Sequence, residues 1–205
     1  MRIAQLVAAV VGLGVAAAPK AEATYIAYLY QDGSNVVATG SGSLDTTDLS
    51  FFGTSRAPVE VNASFGYLGL GQSGATDSIY DNLFGSLTFG AGGVNASTGS
   101  GLLIAVEGNT GNPSQEMLAL PSNYVSKSSL GTSTDTWDNT TLAALGASVG
   151  TYVWAWGSGA DVDSFTLHIG EAPFPQPAPE PASIALLAIG LAGLASIPQR
   201  QRKAA

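Results

Sequence analysis

The chain has 205 residues, of which 11 % are charged and 26 are glycine; its length suits one domain plus targeting segments. Between Thr24 and Ala178 there are two basic and thirteen acidic residues, a net charge of −11, and this charge argues against binding to nucleic acid phosphates. The absence of cysteine excludes disulfides and thiolate metal sites.

The first 23 residues have the pattern of a secretory signal peptide. Arg2 supplies the basic start, an apolar run continues to Ala18, and Ala21-Glu22-Ala23 is a small-residue cleavage site. The apolar run is short for a membrane span. The pattern predicts cleavage after Ala23, which leaves Thr24 as the N-terminus of an exported domain over residues 24–171.

The exported domain has the pattern of an all-β protein. Hydrophobic side chains alternate with a period of two, and clusters of Gly, Asn, Asp and Ser separate the alternating runs. One sheet would leave an apolar face exposed, so the expected architecture is an antiparallel β-sandwich of two packed sheets. The predicted strands are Thr24–Tyr30, Asn35–Thr39, Ser64–Leu70, Leu83–Phe89 and Leu102–Glu107.

A short helix and a hairpin complete the predicted domain. The helix is predicted over Thr140–Leu145, with Asp138 or Asn139 as its N-cap and Gly146 as its stop. The hairpin joins Tyr152–Trp156 to Phe165–Ile169 through a glycine-rich turn.

In the first strand of that hairpin, the rings of Tyr152, Trp154 and Trp156 share one face. The favoured interpretation is that this face packs against a second sheet. The alternative is a platform on which sugar rings stack, as on carbohydrate-binding modules.

The remaining polar residues do not form a recognisable active site. His168 is the only histidine, and no Gly-x-Ser-x-Gly elbow accompanies it, so we predict a solvent-side strand histidine rather than a Ser-His-Asp triad. Asp161 and Asp163, and likewise Asp45 and Asp48, are candidate calcium ligands, but they lack a ligand loop and are better explained as residues of exposed turns. We therefore predict no catalytic residue, no metal site and no cofactor.

The C-terminal end combines three features in a fixed order. A proline-rich linker over residues 172–178 leads to Pro179-Glu180-Pro181, an apolar segment follows over Ala182–Ile197, and a basic cluster closes the chain. As a helix, the apolar segment would be about 24 Å long, slightly under the hydrocarbon core of a bilayer. The basic cluster places that end in the cytoplasm and the domain outside. Its members are Arg200, Arg202 and Lys203.

Residues 179–205 resemble the PEP-CTERM sorting signal of Gram-negative bacteria. The resemblance implies that an exosortase, a membrane transpeptidase-like enzyme, recognises the tail and removes it near Pro179-Glu180-Pro181. The segment from Gly150 to Gly170 also resembles the ending of small PEP-CTERM proteins of unknown function. An ordinary tail anchor is the alternative explanation of the same residues.

These patterns together predict a protein that the inner membrane first holds through its C-terminal helix and that then reaches the cell surface or the extracellular space. We expect a surface or extracellular-matrix protein that is not an enzyme. The alternative function is a carbohydrate-binding module that contacts extracellular polysaccharide through the aromatic strand face.

Overall fold

The computed structural model describes residues 24–72, 74, 76–108 and 116–173. Within these ranges the chain forms thirteen strands and two single-turn 3₁₀ helices, at Ala63–Phe65 and Gly159–Asp161. The all-β prediction is confirmed. The strands are β1 Tyr25–Asp32, β2 Asn35–Ser43, β3 Ser50–Ser55, β4 Glu60–Asn62, β5 Tyr67–Leu70, β6 Asp77–Gly85, β7 Gly93–Asn95, β8 Thr98–Ser100, β9 Ile104–Glu107, β10 Glu116–Pro121, β11 Ser129–Trp137, β12 Gly150–Trp156 and β13 Asp163–Ile169.

The strands form one mixed sheet that curls around its own core. The order from end to end is β7-β4-β5-β9-β10-β6-β12-β13-β1-β2-β11-β8, and β3 pairs with β6 outside this path. The end strands β7 and β8 are consecutive in the chain, and only Ala96 and Ser97 lie between them. Ala96 donates its N–H to the Val59 carbonyl and Ser97 donates to that of Thr136, so this connection spans the two ends of the sheet.

The predicted antiparallel sandwich requires two corrections. First, β1 and β13 are parallel, with Tyr25 opposite Phe165 and Leu29 opposite Ile169. Second, the halves of the structure are joined, because Ala155 of β12 pairs with Phe84 of β6. The alternating pattern determines which face of a strand is apolar, but it carries no information about which strand lies beside it or in which direction.

Three predicted strands begin two or more residues from the predicted start. The predicted strand Leu102–Glu107 starts at Ile104, and in the other two a glycine or an asparagine interrupts the alternation. In the predicted strand Ser64–Leu70, Gly66 adopts a left-handed φ of 58° after the first 3₁₀ helix, and the strand starts only at Tyr67. In place of Leu83–Phe89, β6 covers Asp77–Gly85. Asn82 has a left-handed φ of 70°, and the alternation of buried and exposed side chains along β6 is interrupted at this residue.

The prediction of a helix at Thr140–Leu145 was wrong, because this segment forms one hydrogen-bonded turn and no helix. The Leu145 N–H donates to the Thr141 carbonyl at 2.9 Å, and the Ala144 N–H donates to the Thr141 hydroxyl at 3.1 Å. The capping residue is therefore Thr141, and the prediction of Asp138 or Asn139 was wrong. Gly146 ends the turn with a left-handed φ of 72°, as predicted.

The core lies between the facing halves of the curled sheet, and a second apolar cluster lies on the outer face of one half. Tyr25 stacks on Phe165 with ring centroids 5.2 Å apart. Leu68, Val106 and Leu118 belong to the inner cluster, whereas residues adjacent to them in the chain belong to the outer one, as expected when successive side chains point to opposite faces. The buried members of the outer cluster are Ala57, Tyr67, Leu103, Ala105 and Ala119.

Candidate functional site

The aromatic residues of β12 form part of the core. Trp154 is 0 % and Trp156 is 1 % exposed, and Trp154 meets the edge of Phe165 at 5.9 Å between centroids. The Trp156 indole N–H donates to the Asp45 carbonyl at 2.6 Å. Tyr152 is half-buried against Phe89. The favoured interpretation as core is confirmed for both tryptophans, and neither ring is open to a sugar.

His168 lies on the solvent side of β13, as predicted, with partners that do not form a catalytic triad. Its ring stacks on Tyr28 with centroids 5.1 Å apart. Its Nδ1 lies 3.1 Å from the Thr151 hydroxyl and 3.8 Å from a Glu171 carboxylate oxygen. A triad requires the nucleophile and the acid on opposite nitrogens of the imidazole. Because both partners approach the same nitrogen, this group cannot relay a proton from the hydroxyl to the carboxylate.

The candidate calcium ligands Asp45 and Asp163 meet in the interior, at 2 % and 3 % exposure. Asp163 Oδ2 accepts the Asp45 main-chain N–H at 2.5 Å. Asp45 Oδ1 accepts from the Thr47 N–H and hydroxyl and from the Ser126 hydroxyl. Lys127 Nζ completes the cluster, 2.9 Å from Asp45 Oδ2 and 3.5 Å from Asp161 Oδ1.

The ammonium group of Lys127 supplies the positive charge at this cluster. Burial alone would raise the pKa of Asp45, but hydrogen bonds from Thr47, Lys127 and Ser126 hold it well below its ordinary value. Burial raises the pKa of Asp163 to about 6, although the main-chain N–H groups of Asp45 and Ser164 oppose the shift. Among the residues that the structure describes, no three His, Cys, Asp or Glu side chains are arranged to hold a metal ion.

The expectation that these aspartates occupy exposed turns was wrong for Asp45 and Asp163. Asp161 is partly exposed. Asp48 is also partly exposed, and its Oδ2 accepts the Ser158 N–H at 3.0 Å. A signal for Asp163 was present in the sequence, because it continues the alternating series of Phe165, Leu167 and Ile169, all of which face the core.

A further buried carboxyl, that of Asp135 on β11, was not singled out from the sequence. It is 1 % exposed; Oδ2 accepts the Gly71 N–H at 2.5 Å, and Oδ1 has no hydrogen-bond partner within the described ranges. Burial raises the pKa of Asp135 to about 7, and the Gly71 bond offsets this only in part. Burial also raises the pKa of the Tyr25 hydroxyl, and the charge of Asp135 adds to that shift. Asp135 alternates with the buried Ser133 and Trp137.

An apolar groove of about 340 Å³ lies on the outer face of the sheet, at the lower end of the range for ligand sites. Its floor includes Tyr67, Ala105 and Ala119, and the segment 52–58 borders it. The Tyr67 hydroxyl donates to the Pro58 carbonyl at 2.6 Å and ties this segment to the sheet. A Cβ on Gly69 would lie 2.0 Å from the same carbonyl oxygen, so the close approach requires glycine at this position.

The two ends of the described domain lie at opposite ends of one strand pair. Because β1 and β13 run parallel in register, Thr24 precedes one end, whereas the chain leaves the sheet at the other end, where the Gly170 N–H donates to the Leu29 carbonyl. Five paired residues at about 3.3 Å each separate these ends by roughly 15 Å.

The model of the PEP-CTERM protein-sorting motif matches residues 177–200 of the sequence. The chain carries a PEP-CTERM sorting signal. The match includes Pro179, Glu180, Pro181 and Arg200, whereas Arg202 and Lys203 follow it. No curated protein and no solved structure matches the chain.

The PEP-CTERM motif implies an exported protein that is processed by an exosortase. The motif, the predicted apolar helix and the predicted signal peptide over residues 1–23 all lie outside the described residues. Across the part of the chain that the structure covers, no helix has the length and apolar character needed to cross a membrane.

Proposed function

We propose that this protein is a cell-surface or extracellular-matrix protein that an exosortase cuts from its membrane-held precursor, and that it has no catalytic activity of its own. The observation that carries the proposal is the PEP-CTERM match at residues 177–200, close behind a β-domain whose last described residue is Pro173. The acidic composition of the domain suits a soluble surface, and the absence of cysteine does not argue against export.

The tail has the physical properties of a removable anchor. Pro179 and Pro181 lack the N–H that a helix or a sheet would use, so we expect an extended motif that an enzyme can reach. The apolar segment of sixteen residues over Ala182–Ile197 is short for a permanent span. The basic residues behind it oppose outward movement through the membrane.

The linker separates the cleavage motif from the folded domain. Residues 170–178 separate β13 from the motif and contain three prolines. A fully extended chain of this length would span roughly 28 Å, at about 3.1 Å per residue. Because β1 is parallel to β13, the predicted mature N-terminus at Thr24 would be the end of the domain that points away from the membrane.

The test is a Glu180→Ala substitution in a host that contains an exosortase. We expect uncut precursor to accumulate in the membrane fraction, whereas the wild-type protein is processed. Glu171→Ala, which changes an exposed glutamate upstream of the motif, is the matched control and should be processed normally.

Mass spectrometry of the wild-type surface protein should find Thr24 at its N-terminus and a C-terminus near residues 179–181. Normal processing of the Glu180 variant, or mature protein that retains Arg200 to Ala205, would overturn the sorting proposal and leave an ordinary tail anchor.

A further inference from the structure

Strand β3 has one paired edge and one open edge. It pairs with β6, and no other strand in the described part of the chain pairs with it. Five of its six residues are exposed. The end strands β7 and β8 have only three residues each and approach each other through the Ala96–Ser97 connection. The open edge of β3 is therefore the longest row of free N–H and C=O groups offered to another strand among the described residues.

The side chains of β3 are apolar or uncharged and solvent-exposed. Phe51 is 62 % and Phe52 is 55 % exposed, and Phe51 contacts the ring of Tyr80 edge-on at 6.1 Å between centroids. The register with β6 shifts between Phe51 and Gly53, which makes Phe52 the bulged residue. Each ring can bury its exposed part, more than half of its surface, on association, so two such residues in succession favour an interface.

Charged residues flank this strand symmetrically about Phe52. Asp48 lies four residues before it and Arg56 four residues after it. Arg56 is exposed, and the close contacts between basic and acidic side chains in the described residues involve Lys127 and His168 but not Arg56. Both residues lie just outside β3, Asp48 in the preceding turn, where its Oδ2 accepts the Ser158 N–H, and Arg56 directly after the strand. If two β3 strands pair antiparallel with Phe52 opposite Phe52, the Asp48 end of each strand lies beside the Arg56 end of the other copy. Opposite charges in such cross-strand positions stabilise a pair.

We propose that two copies of this protein associate through antiparallel β3–β3 pairing about a twofold axis. The main-chain groups of the open edges form the hydrogen bonds, Phe51 and Phe52 are buried in the contact, and Asp48 and Arg56 determine the register. A twofold arrangement uses the same surface on both copies and closes the assembly at a dimer.

The absence of cysteine from the chain permits a site-specific test. The full-length protein with F52C is oxidised mildly and examined on a non-reducing gel, and we expect a covalent dimer. The matched control is V149C, because Val149 is 73 % exposed and adjoins the end of β12 remote from β3; it should stay monomeric. Equal amounts of covalent dimer from both variants, or no covalent dimer from F52C, would overturn the proposal. Association through the tail alone would give one of these two results, because it would not bring the thiols introduced at position 52 together selectively.

The charge register is tested by light scattering of the full-length protein in detergent. Arg56→Lys should retain the dimer, whereas Arg56→Glu should weaken it at least fivefold, with an unchanged circular dichroism spectrum. A wild-type protein that stays monomeric up to about 1 mM, the weak end of specific affinities, would refute the proposal. If the Arg56→Lys and Arg56→Glu variants dimerise with equal affinity, Arg56 does not pair with Asp48 of the other copy and the proposed register is wrong.

Discussion

The ammonium nitrogen of Lys127 lies 2.9 Å from a carboxylate oxygen of Asp45 that is almost completely buried. Through its main chain, Asp45 also accepts the Trp156 indole N–H and donates to Asp163. One residue therefore joins three segments that are distant in sequence: the loop after β2, the turn before β11 and the final hairpin. The hydrogen bonds to this buried carboxylate, together with the half-exposed ammonium group of Lys127, stabilise the fold.

Substitution of Asp45 by Ala should lower the free energy of unfolding by about 2 kcal/mol, because it removes the charged acceptor of the hydrogen bonds from Thr47, Ser126 and Lys127. Asp32→Ala is the control, since Asp32 is exposed, and should change stability by less than about 0.5 kcal/mol. Urea unfolding of both variants measures the difference. Equal effects would contradict the role assigned to Asp45.

Asp135→Asn should stabilise the protein increasingly as the pH rises from about 4 to above 7. The folded-state pKa of Asp135, about 7, lies above its ordinary value of 3.8, so the folded state favours the protonated form, and its stability falls as the carboxyl ionises. Asparagine stays neutral and retains an oxygen for the Gly71 N–H. We expect a gain of about 2–4 kcal/mol at pH 8 and little gain at pH 4.

The control for this titration is Asp138→Asn, because Asp138 is exposed three residues further along the chain. Thermal unfolding of both variants between pH 4 and pH 8 gives the comparison. A pH-independent difference between Asp135→Asn and the wild type would show that ionisation of Asp135 does not oppose folding.

Gly146→Ala should destabilise the protein more than Gly131→Ala. Both glycines have left-handed φ angles, 72° and 69°, so both substitutions incur a backbone cost of about 1 kcal/mol. A Cβ on Gly146 would also lie 1.4 Å from the Ala91 carbonyl oxygen, whereas one on Gly131 meets nothing within 4 Å. We expect Gly146→Ala to lose at least about 2 kcal/mol more of the free energy of unfolding than Gly131→Ala. Denaturant unfolding measures this difference, and equal losses would show that the Ala91 carbonyl does not crowd position 146.

Trp156→Phe should lower stability more than Trp154→Phe, although the two substitutions remove the same ring volume from the core. The Trp156 N–H donates to the Asp45 carbonyl, whereas the Trp154 N–H has no partner in the described residues. The difference should be about 1–2 kcal/mol, the cost of leaving a buried carbonyl unsatisfied. Thermal unfolding of the two single variants measures it, and a larger loss for Trp154→Phe would be inconsistent with this arrangement.

Local sequence pattern was sufficient for the final hairpin. The three rings of Tyr152–Trp156 occupy alternate positions, and the apolar residues of Phe165–Ile169 alternate with Thr166 and His168. The observed strands β12 and β13 contain both predicted segments in antiparallel register. The same pattern did not predict β11, because the polar residues Ser133 and Asp135 occupy buried positions in that strand. Such a strand is stabilised by its neighbours β2 and β8 rather than by its own hydrophobic residues, so no local signal identifies it.

The sequence by itself determined the sorting motif and the faces of the hairpin strands. The motif is a linear order of prolines, apolar residues and basic residues, and alternation with a period of two follows from the backbone geometry of a strand. Only the tertiary structure decided the parallel pairing of β1 with β13, the burial of Asp45 and Asp135, and the open edge of β3. These features depend on which distant segments meet, and that is decided by the packing of the whole core against the entropy of closing long loops.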